Sequence, residues 1–298
     1  MPSAHAESPA RQGHDGLRPV GEGEKAVELR VVHWNVYGAS DPGNIANFVS
    51  ERIGRGPTIV CLQDIKRASY NVLVGLLKPA SSRFSLDLRE PSRNEGDERT
   101  MGIAMFGFGL PISSLELLDR TLYPERTFSV LFGGAFGPIR VVAFDSLAGI
   151  GREYPVAKAS NFASIADYLQ LHGAELDFLC FDANGPKHDS MDPGKLEFSL
   201  LSDKGKVKKL ALIMGSQKVH RLSDSYVEYL RSKREVVVRD PLAISYKTGT
   251  AKKKQAEKRY DYIMNARRWR VTHCEYPYEE SVAATADHSA VIADFEAA

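Results

Sequence analysis

Cysteine is scarce in this sequence. Cys61, Cys180 and Cys274 are the only three in 298 residues, and no two of them have the spacing of a paired site. This excludes a disulfide framework and a cysteine-built zinc site, and it places the expected compartment as a reducing cytoplasm. Apolar runs long enough to cross a bilayer are also missing, and the opening MPSAHAESPARQGHDG lacks the apolar centre of a secretion signal, so neither a membrane span nor a leader is expected. Internal repeats are absent, which argues against a solenoid. Net charge is nearly absent too, at +1 for the whole chain. That average conceals an asymmetry: residues 187–270 hold 21 Lys and Arg against 10 Asp and Glu, a local charge of +11, which leaves about −10 for the rest. One part of the surface is therefore suited to a polyanion.

What is present reads as a soluble globular protein with an apolar fraction of 43% and a charged fraction of 26%. Residues 1–27, rich in Pro, Gly, Ala and charge, are expected to be a disordered tail, and residues 28–298 a single domain. After the tail, VELRVVHWNV and PTIVCLQDI read as strands around the helical NIANFVSERI, with a second helix at YNVLVGLL. MGIAMFGFG, FSVLFGGAF and IRVVAFDSL read as strands on short connections, hence antiparallel. ASNFASIADYLQLHG predicts a helix with Phe162, Ile165, Ala166 and Leu169 on one face and Gly173 as its C-cap. LDFLCFDAN, REVVVRD, RYDYIMN and HSAVIADFE complete the strands, and SDSYVEYLRSK is a further helix. Parallel-type units at the start and antiparallel ones later predict an α+β fold with packed sheets and outer helices.

Polar residues recur at the ends of these strands: Asn35, Asp64, Asp182 and Asn184, Asp261, and the pair Asp287 and His288. Singly, each is an ordinary strand terminator. Together their chemistry is consistent. Several carboxylates in one pocket repel unless a hard cation sits among them, and an all-oxygen set suits magnesium or manganese rather than zinc. A histidine following a carboxylate can stabilise charge or move a proton, and asparagine amides can hold a phosphate oxygen without adding negative charge. This is the equipment for metal-assisted attack of water on a phosphoester. His33 shares a strand face with Asn35 by alternation and is read as an interior residue.

The order of Trp34-Asn35, Leu62-Gln63-Asp64, Phe181-Asp182-Ala183-Asn184, Arg259-Tyr260-Asp261-Tyr262-Ile263 and Ala286-Asp287-His288 resembles the endonuclease/exonuclease/phosphatase superfamily, the DNase I-like fold. The likeness spans residues 29–296 and implies a four-layered α/β/β/α sandwich, two packed mixed sheets flanked by helices, with the site at one edge of both sheets. It implies roles as well. Asp64 would bind the metal, with Asn35 and Asp287 completing or orienting that shell. Asp182 would position the attacking water, Asn184 would hold the phosphate, and His288 would stabilise the developing charge with Asp261 fixing its ring. The chain departs from the pattern in three places. Asp64 stands for a glutamate, Ser146, preceded by Asp145, falls where many members carry a histidine, and Phe181 replaces a glycine and is expected to add bulk beside the site.

The loop KTGTAKKKQAEKR carries Lys247, Lys252, Lys253, Lys254, Lys258 and Arg259 straight into the strand of Asp261, and a phosphate backbone crossing the site would meet it. With Ser146, the residues Lys252, Lys253, Lys254 and Arg259 are the expected substrate contacts. Trp269 in ARRWR is read either as a stacking surface or as a core residue. The expected function is a metal-dependent phosphodiesterase of nuclease type acting on DNA or RNA. The alternatives are a phosphatase or phosphodiesterase of the same fold acting on a lipid or small phosphoester, and a binding module in which Asp64 and Ser146 have weakened catalysis.

Overall fold

The computed structural model describes residues 28–37, 41–54, 56–89, 101–118, 120–121, 123–146, 155–198, 208–248 and 255–298. The tail expected at 1–27 and the lysines Lys252, Lys253 and Lys254 lie outside them. In chain order the elements are β1 (Leu29–Asn35), α1 (Pro42–Arg52), β2 (Thr58–Lys66), α2 (Arg67–Leu77), β3 (Ser81–Phe84), β4 (Met101–Phe108), β5 (Ile112–Glu116), β6 (Thr127–Phe132), β7 (Ile139–Asp145), α3 (Pro155–His172), β8 (Phe178–Asp182), α4 (Lys208–Met214), β9 (Ser223–Asp224), α5 (Ser225–Ser232), β10 (Tyr246–Thr248), β11 (Ala256–Lys258), β12 (Asp261–Asn265), β13 (Trp269–Glu275), α6 (Tyr278–Ala283) and β14 (Val291–Ala297).

Two six-stranded sheets, ordered β13-β14-β1-β2-β4-β3 and β5-β6-β7-β8-β12-β9, carry the fold, with a two-stranded ribbon of β10 and β11 beside them. Each sheet has one parallel pair near its centre, β1 with β2 and β7 with β8, and is otherwise antiparallel. Side-chain alternation sorts every central strand between two cores. Val31, Ile59, Cys61, Val141, Ala143, Phe178, Cys180 and Ile263 face the opposite sheet. Their neighbours Val32, Val60 and Leu62 face α1 and α2, while Val142, Leu179 and Tyr262 face α3 and α4. The result is the DNase I-like α/β/β/α sandwich, in which each fully buried Val, Leu or Phe contributes about 1.5–3 kcal/mol.

The helices follow their expected signals. Asp41 caps α1 by accepting from the Gly43 N–H at 2.7 Å, with Pro42 in its first turn. α3 buries Phe162, Ile165, Ala166 and Leu169 as expected, and the Gly173 N–H closes on the Leu169 carbonyl at 2.8 Å, where a Cβ would stand 2.3 Å from that oxygen. No helix among the described residues is long and apolar enough to cross a membrane.

Two strand expectations need correction. Residues 234–240, expected as the strand REVVVRD, form no strand; Val236 and Val238 are 86% and 91% exposed, so a β-rich composition had no sheet to join. Conversely β13, unanticipated beyond its tryptophan, is an edge strand. Trp269 opens it from the core, 2% exposed, with its indole N–H donating to Asp177 Oδ1 at 2.8 Å, so it is not a stacking surface.

Candidate active site

The alternation that fills the core also builds the site. Continuing the inter-sheet face of β1, β2, β7 and β8 by two residues reaches His33 and Asn35, Gln63, Asp145 and Asp182, all buried at one end of the seam. β12 and β14 run antiparallel to their neighbours β8 and β1, so Asp261 and His288 reach the same edge at the amino ends of those elements, not at carboxyl ends. Strand register sets Asp182 directly beside both Asp145 and Asp261. Gln63 joins the sheets underneath, donating to the Phe144 carbonyl at 2.7 Å and accepting from the Asp182 N–H at 3.2 Å.

Asp182 is the most heavily held carboxylate. It accepts from the Asn184 backbone N–H at 2.7 Å, the Asn184 amide at 3.0 Å and the Asn35 amide at 3.2 Å. Burial, with the charge of Asp261 added, pushes its pKa up to about 7 despite the nearby His288. His288 Nδ1 lies 2.8 Å from Asp261 Oδ2. Burial works against the charged ring, yet the charge and hydrogen bond of Asp261, assisted by Asp182 and Asp287, raise its pKa to about 10. Its main chain is fixed by the Trp34 indole N–H on its carbonyl at 2.9 Å, and the Tyr246 ring stacks on its imidazole at 4.5 Å. His33 is wholly buried, with Nε2 at 3.7 Å from Asp261 Oδ1, and burial lowers its pKa to about 4 despite that carboxylate, so it faces Asp261 as a neutral ring.

Asp64 reaches the seam by a different route. Regular alternation would turn it away from Gln63 toward the helices, but the β2–β4 pairing slips between Leu62 and Ile65, and Asp64 adopts φ 54°. Such a bulge re-aims a side chain, and aspartate tolerates the left-handed region better than most residues. Its Oδ1 lies 3.6 Å from Arg126 Nη2, which is also 2.6 Å from Asp145 Oδ2. Asp287 is exposed, and its carboxyl is raised by partial burial and by the charges of Asp261 and Asp64 against the lowering effect of His288.

Several expected residues take other positions. Arg259 is not a surface contact: its side chain is 1% exposed, forked onto Asp189 at 2.8 and 2.9 Å and paired with Asp224 at 2.9 Å. Ser146 does not stand alone for the missing histidine. It is buried, and its hydroxyl and carbonyl both accept from the Asn184 amide at 3.3 Å, so it positions Asn184 while the end of β7 facing the seam is Asp145. Phe181 adds no bulk to the site; it points to the helix side, stacked on Phe144 at 4.7 Å and Tyr262 at 5.2 Å. Within the basic loop, Lys247 pairs with Glu279 at 3.5 Å and Lys258 donates to the Lys187 carbonyl at 2.7 Å. Sequence reasoning missed Arg126 and Lys158, and named Asp145 without giving it a role. Lys158 lies on α3, donates to the Asn184 carbonyl at 3.3 Å and tempers the rise of Asp182. A cation preceding a strand or lying on a helix carries no motif of its own, so only the tertiary structure reveals it.

Two places bear on a metal. Asp182, Asp261 and His288 offer ligand atoms within 4.8 Å of one another, compact enough for an ion. The imidazole, protonated here between its carboxylate neighbours, has to give up that proton before it can ligate, and the proton already balances the two carboxylates. The residues that the resemblance assigns to a metal, Asp64, Asp287 and Asn35, are all oxygen donors of the kind a hard divalent cation takes, and Asn35 Oδ1 also accepts from the Tyr37 N–H at 2.9 Å. The pair Asp182 and His288 has opposite needs, one active when deprotonated and the other when protonated. Any reaction using both is expected to show a kcat/KM profile rising through about pH 7 and falling near pH 10. Both groups keep their protons to higher pH in the folded chain than in the unfolded one, against ordinary values of 3.8 and 6.5. Stability is therefore expected to fall as pH rises, through Asp182 first and then through His288, and chemical denaturation at several pH values checks it.

No protein-family model and no curated protein matches the chain. Solved structures do. The chain is similar to D. rerio TDP2 complexed with single strand DNA product, at 10% identity and TM-score 0.60, covering 90% of this chain and 99% of that one. It is also similar to the endonuclease/exonuclease/phosphatase from Beutenbergia cavernae, at 14% identity and TM-score 0.62, over 91% and 72%. A third likeness is the 3′ phosphatase NExo from Neisseria bound to product DNA hairpin, at 14% identity and TM-score 0.59, over 91% and 100%. At such identities these matches establish the fold.

Proposed function

We propose that the chain is a metal-dependent phosphodiesterase of nuclease type, hydrolysing DNA or RNA by attack of water on phosphorus. The observation that carries this reading is the Asp261–His288 contact of 2.8 Å set within 4.8 Å of Asp182, a carboxylate-oriented imidazole beside a carboxylate already held by two asparagines. Support comes also from three of the fold's solved members, one named in complex with single strand DNA product and one with a product DNA hairpin.

In this reading Asp182 positions the attacking water and takes its proton, and its hydrogen bonds to Asn35 and Asn184 fix the direction of that oxygen. The Asn184 amide, steadied by Ser146, reaches the scissile phosphate, with Lys158 adding positive charge. His288, protonated and aligned by Asp261, stabilises charge on the phosphorane-like oxygens. Asp64, Asp287 and Asn35 would hold magnesium or manganese, whose chemistry is to neutralise phosphate charge and assist the departing oxygen. Lys252, Lys253 and Lys254 are assigned to the phosphate backbone beyond the cleavage point, as salt-dependent contacts.

The test is a substrate screen with single- and double-stranded DNA, RNA, inositol phosphates and phospholipid headgroups, each with magnesium, manganese or EDTA. Cleavage of nucleic acid that ceases in EDTA is expected. Turnover confined to small or lipid phosphoesters would move the chain to the phosphatase alternative. Silence toward every substrate would favour the binding-module alternative, in which Asp64 has lost the reach of the usual glutamate.

A further inference from the structure

His33 lies on β1 and Asp261 on β12, in opposite sheets, and the seam between the sheets brings their side chains together. Both residues are wholly buried. The two oxygens of Asp261 are treated differently. Oδ2 takes His288 Nδ1 at 2.8 Å, whereas Oδ1 has no hydrogen-bond partner among the described residues and faces His33 Nε2 at 3.7 Å. Neither ring nitrogen of His33 is hydrogen-bonded either, and the Phe181 carbonyl, outside bonding geometry, only favours a proton on the ring. A buried carboxylate oxygen without a donor is costly, and so is a buried imidazole without an acceptor. These atoms are suited to each other, and in the proposed reaction neither has a role.

We propose that His33 is a positioning residue, whose Nε2–H holds Asp261 Oδ1 and so keeps Oδ2 aimed at the His288 ring. This rests on the reading of Asp261 and His288 as a working pair. A neutral imidazole has one N–H and one lone pair, and a carboxylate is a stronger acceptor than the Phe181 carbonyl, so the proton belongs on Nε2. At 3.7 Å its attraction to Oδ1 is electrostatic, and a small inward shift turns it into a hydrogen bond. Contacts of this kind are commonly long in free enzymes and tighten around the transition state. His288 has its own fixtures, the Trp34 indole on its carbonyl and the Tyr246 ring on its imidazole. What they leave open is rotation of the Asp261 carboxyl group, which an N–H on Oδ1 opposes. A neutral ring does this without drawing the carboxylate's charge away from the protonated His288. Buried beneath the pair, His33 does not reach substrate, so its loss slows the chemical step and leaves binding alone.

Nitrogen-15 chemical shifts of the wild-type imidazoles test the tautomer without any variant: His33 is expected to carry its proton on Nε2, and a proton on Nδ1 would overturn the inference. Two variants of the full chain test the consequence. His33→Leu removes the donor and is expected to lower kcat by about tenfold to hundredfold with KM nearly unchanged. His33→Gln keeps an N–H near the place of Nε2 and is expected to recover most of that loss. The low-field Nδ1–H resonance of His288, assigned by its absence in His288→Gln, is expected to move in the leucine variant and to stay in place in the glutamine one. Equal losses in the two variants would make His33 a packing residue only, and wild-type kcat in His33→Leu would overturn the inference as well. A wild type that cleaves no nucleic acid would remove the proposed function, while the tautomer and the His288 resonance would still decide the role of His33.

Discussion

Asp182→Ala is expected to lower kcat for phosphodiester cleavage by about a hundredfold to ten-thousandfold, the range of a lost general base, with little change in KM. The size follows from the convergence at this side chain. It accepts from two asparagine amides and one backbone N–H, lies beside Asp261 in the sheet, and is the carboxylate whose pKa is moved to about 7. A carboxylate so tuned can take a proton near neutrality, which an ordinary surface aspartate does poorly. The fold should survive, because the alanine variant leaves an intact inter-sheet core of aliphatic and aromatic residues behind it. The change is also distinguishable from misfolding: the far-ultraviolet spectrum and the manganese affinity of the Asp64 corner should stay close to wild type. An activity loss below threefold would remove Asp182 from the reaction.

Arg259→Ala is expected to destabilise the fold by about 3–5 kcal/mol, the cost of leaving buried carboxylates without their cation. In a chain of this size that lowers Tm by roughly 10 °C. The guanidinium ties three segments together. Asp189 lies on the loop that follows Asp182 and Asn184, and it also accepts from the Leu242 N–H at 3.0 Å. Asp224 caps α5 by accepting from the Tyr226 and Val227 N–H groups. Arg259 itself precedes Asp261 by two residues, so loosening it should also disturb the alignment of His288. Arg259→Lys keeps the charge but not the planar fork, and an intermediate loss is expected. A surface phosphate contact would behave differently: Tm nearly constant, with weaker and less salt-dependent nucleic-acid binding. Thermal denaturation of the two variants separates these outcomes.

The contrast between these two residues shows where the sequence was readable. Asp182, Asn184, Asp261, His288 and Asn35 were legible because strand periodicity dictates which face a residue takes, and compatible chemistry at four strand termini has few uses other than a common site. The packed sheets with outer helices followed from the same periodicity together with the apolar stripe of α3, and the four layers from the resemblance carried by the ordered motifs. Arg259 was misread because a basic run looks alike whether it faces solvent or two partners far along the chain at Asp189 and Asp224. Asp64 needed a bulge that no local signal marks. Arg126 and Lys158 come from a turn and a helix with no motif, and their meaning lies in which carboxylates the two sheets bring to them. Phe181 was judged by its proximity in sequence to Asp182, although adjacent strand residues face opposite layers.

The claim that joins these observations is that water, held by Asp182, attacks phosphorus while His288 stabilises the charge that develops. Cleavage of an oligonucleotide in water enriched with oxygen-18, with the products analysed by mass spectrometry, tests it most directly. The account predicts that each product phosphate carries a single labelled oxygen, at a rate that falls with Asp182→Ala. Products that carry no label, or labelled products formed equally fast without Asp182, would contradict it.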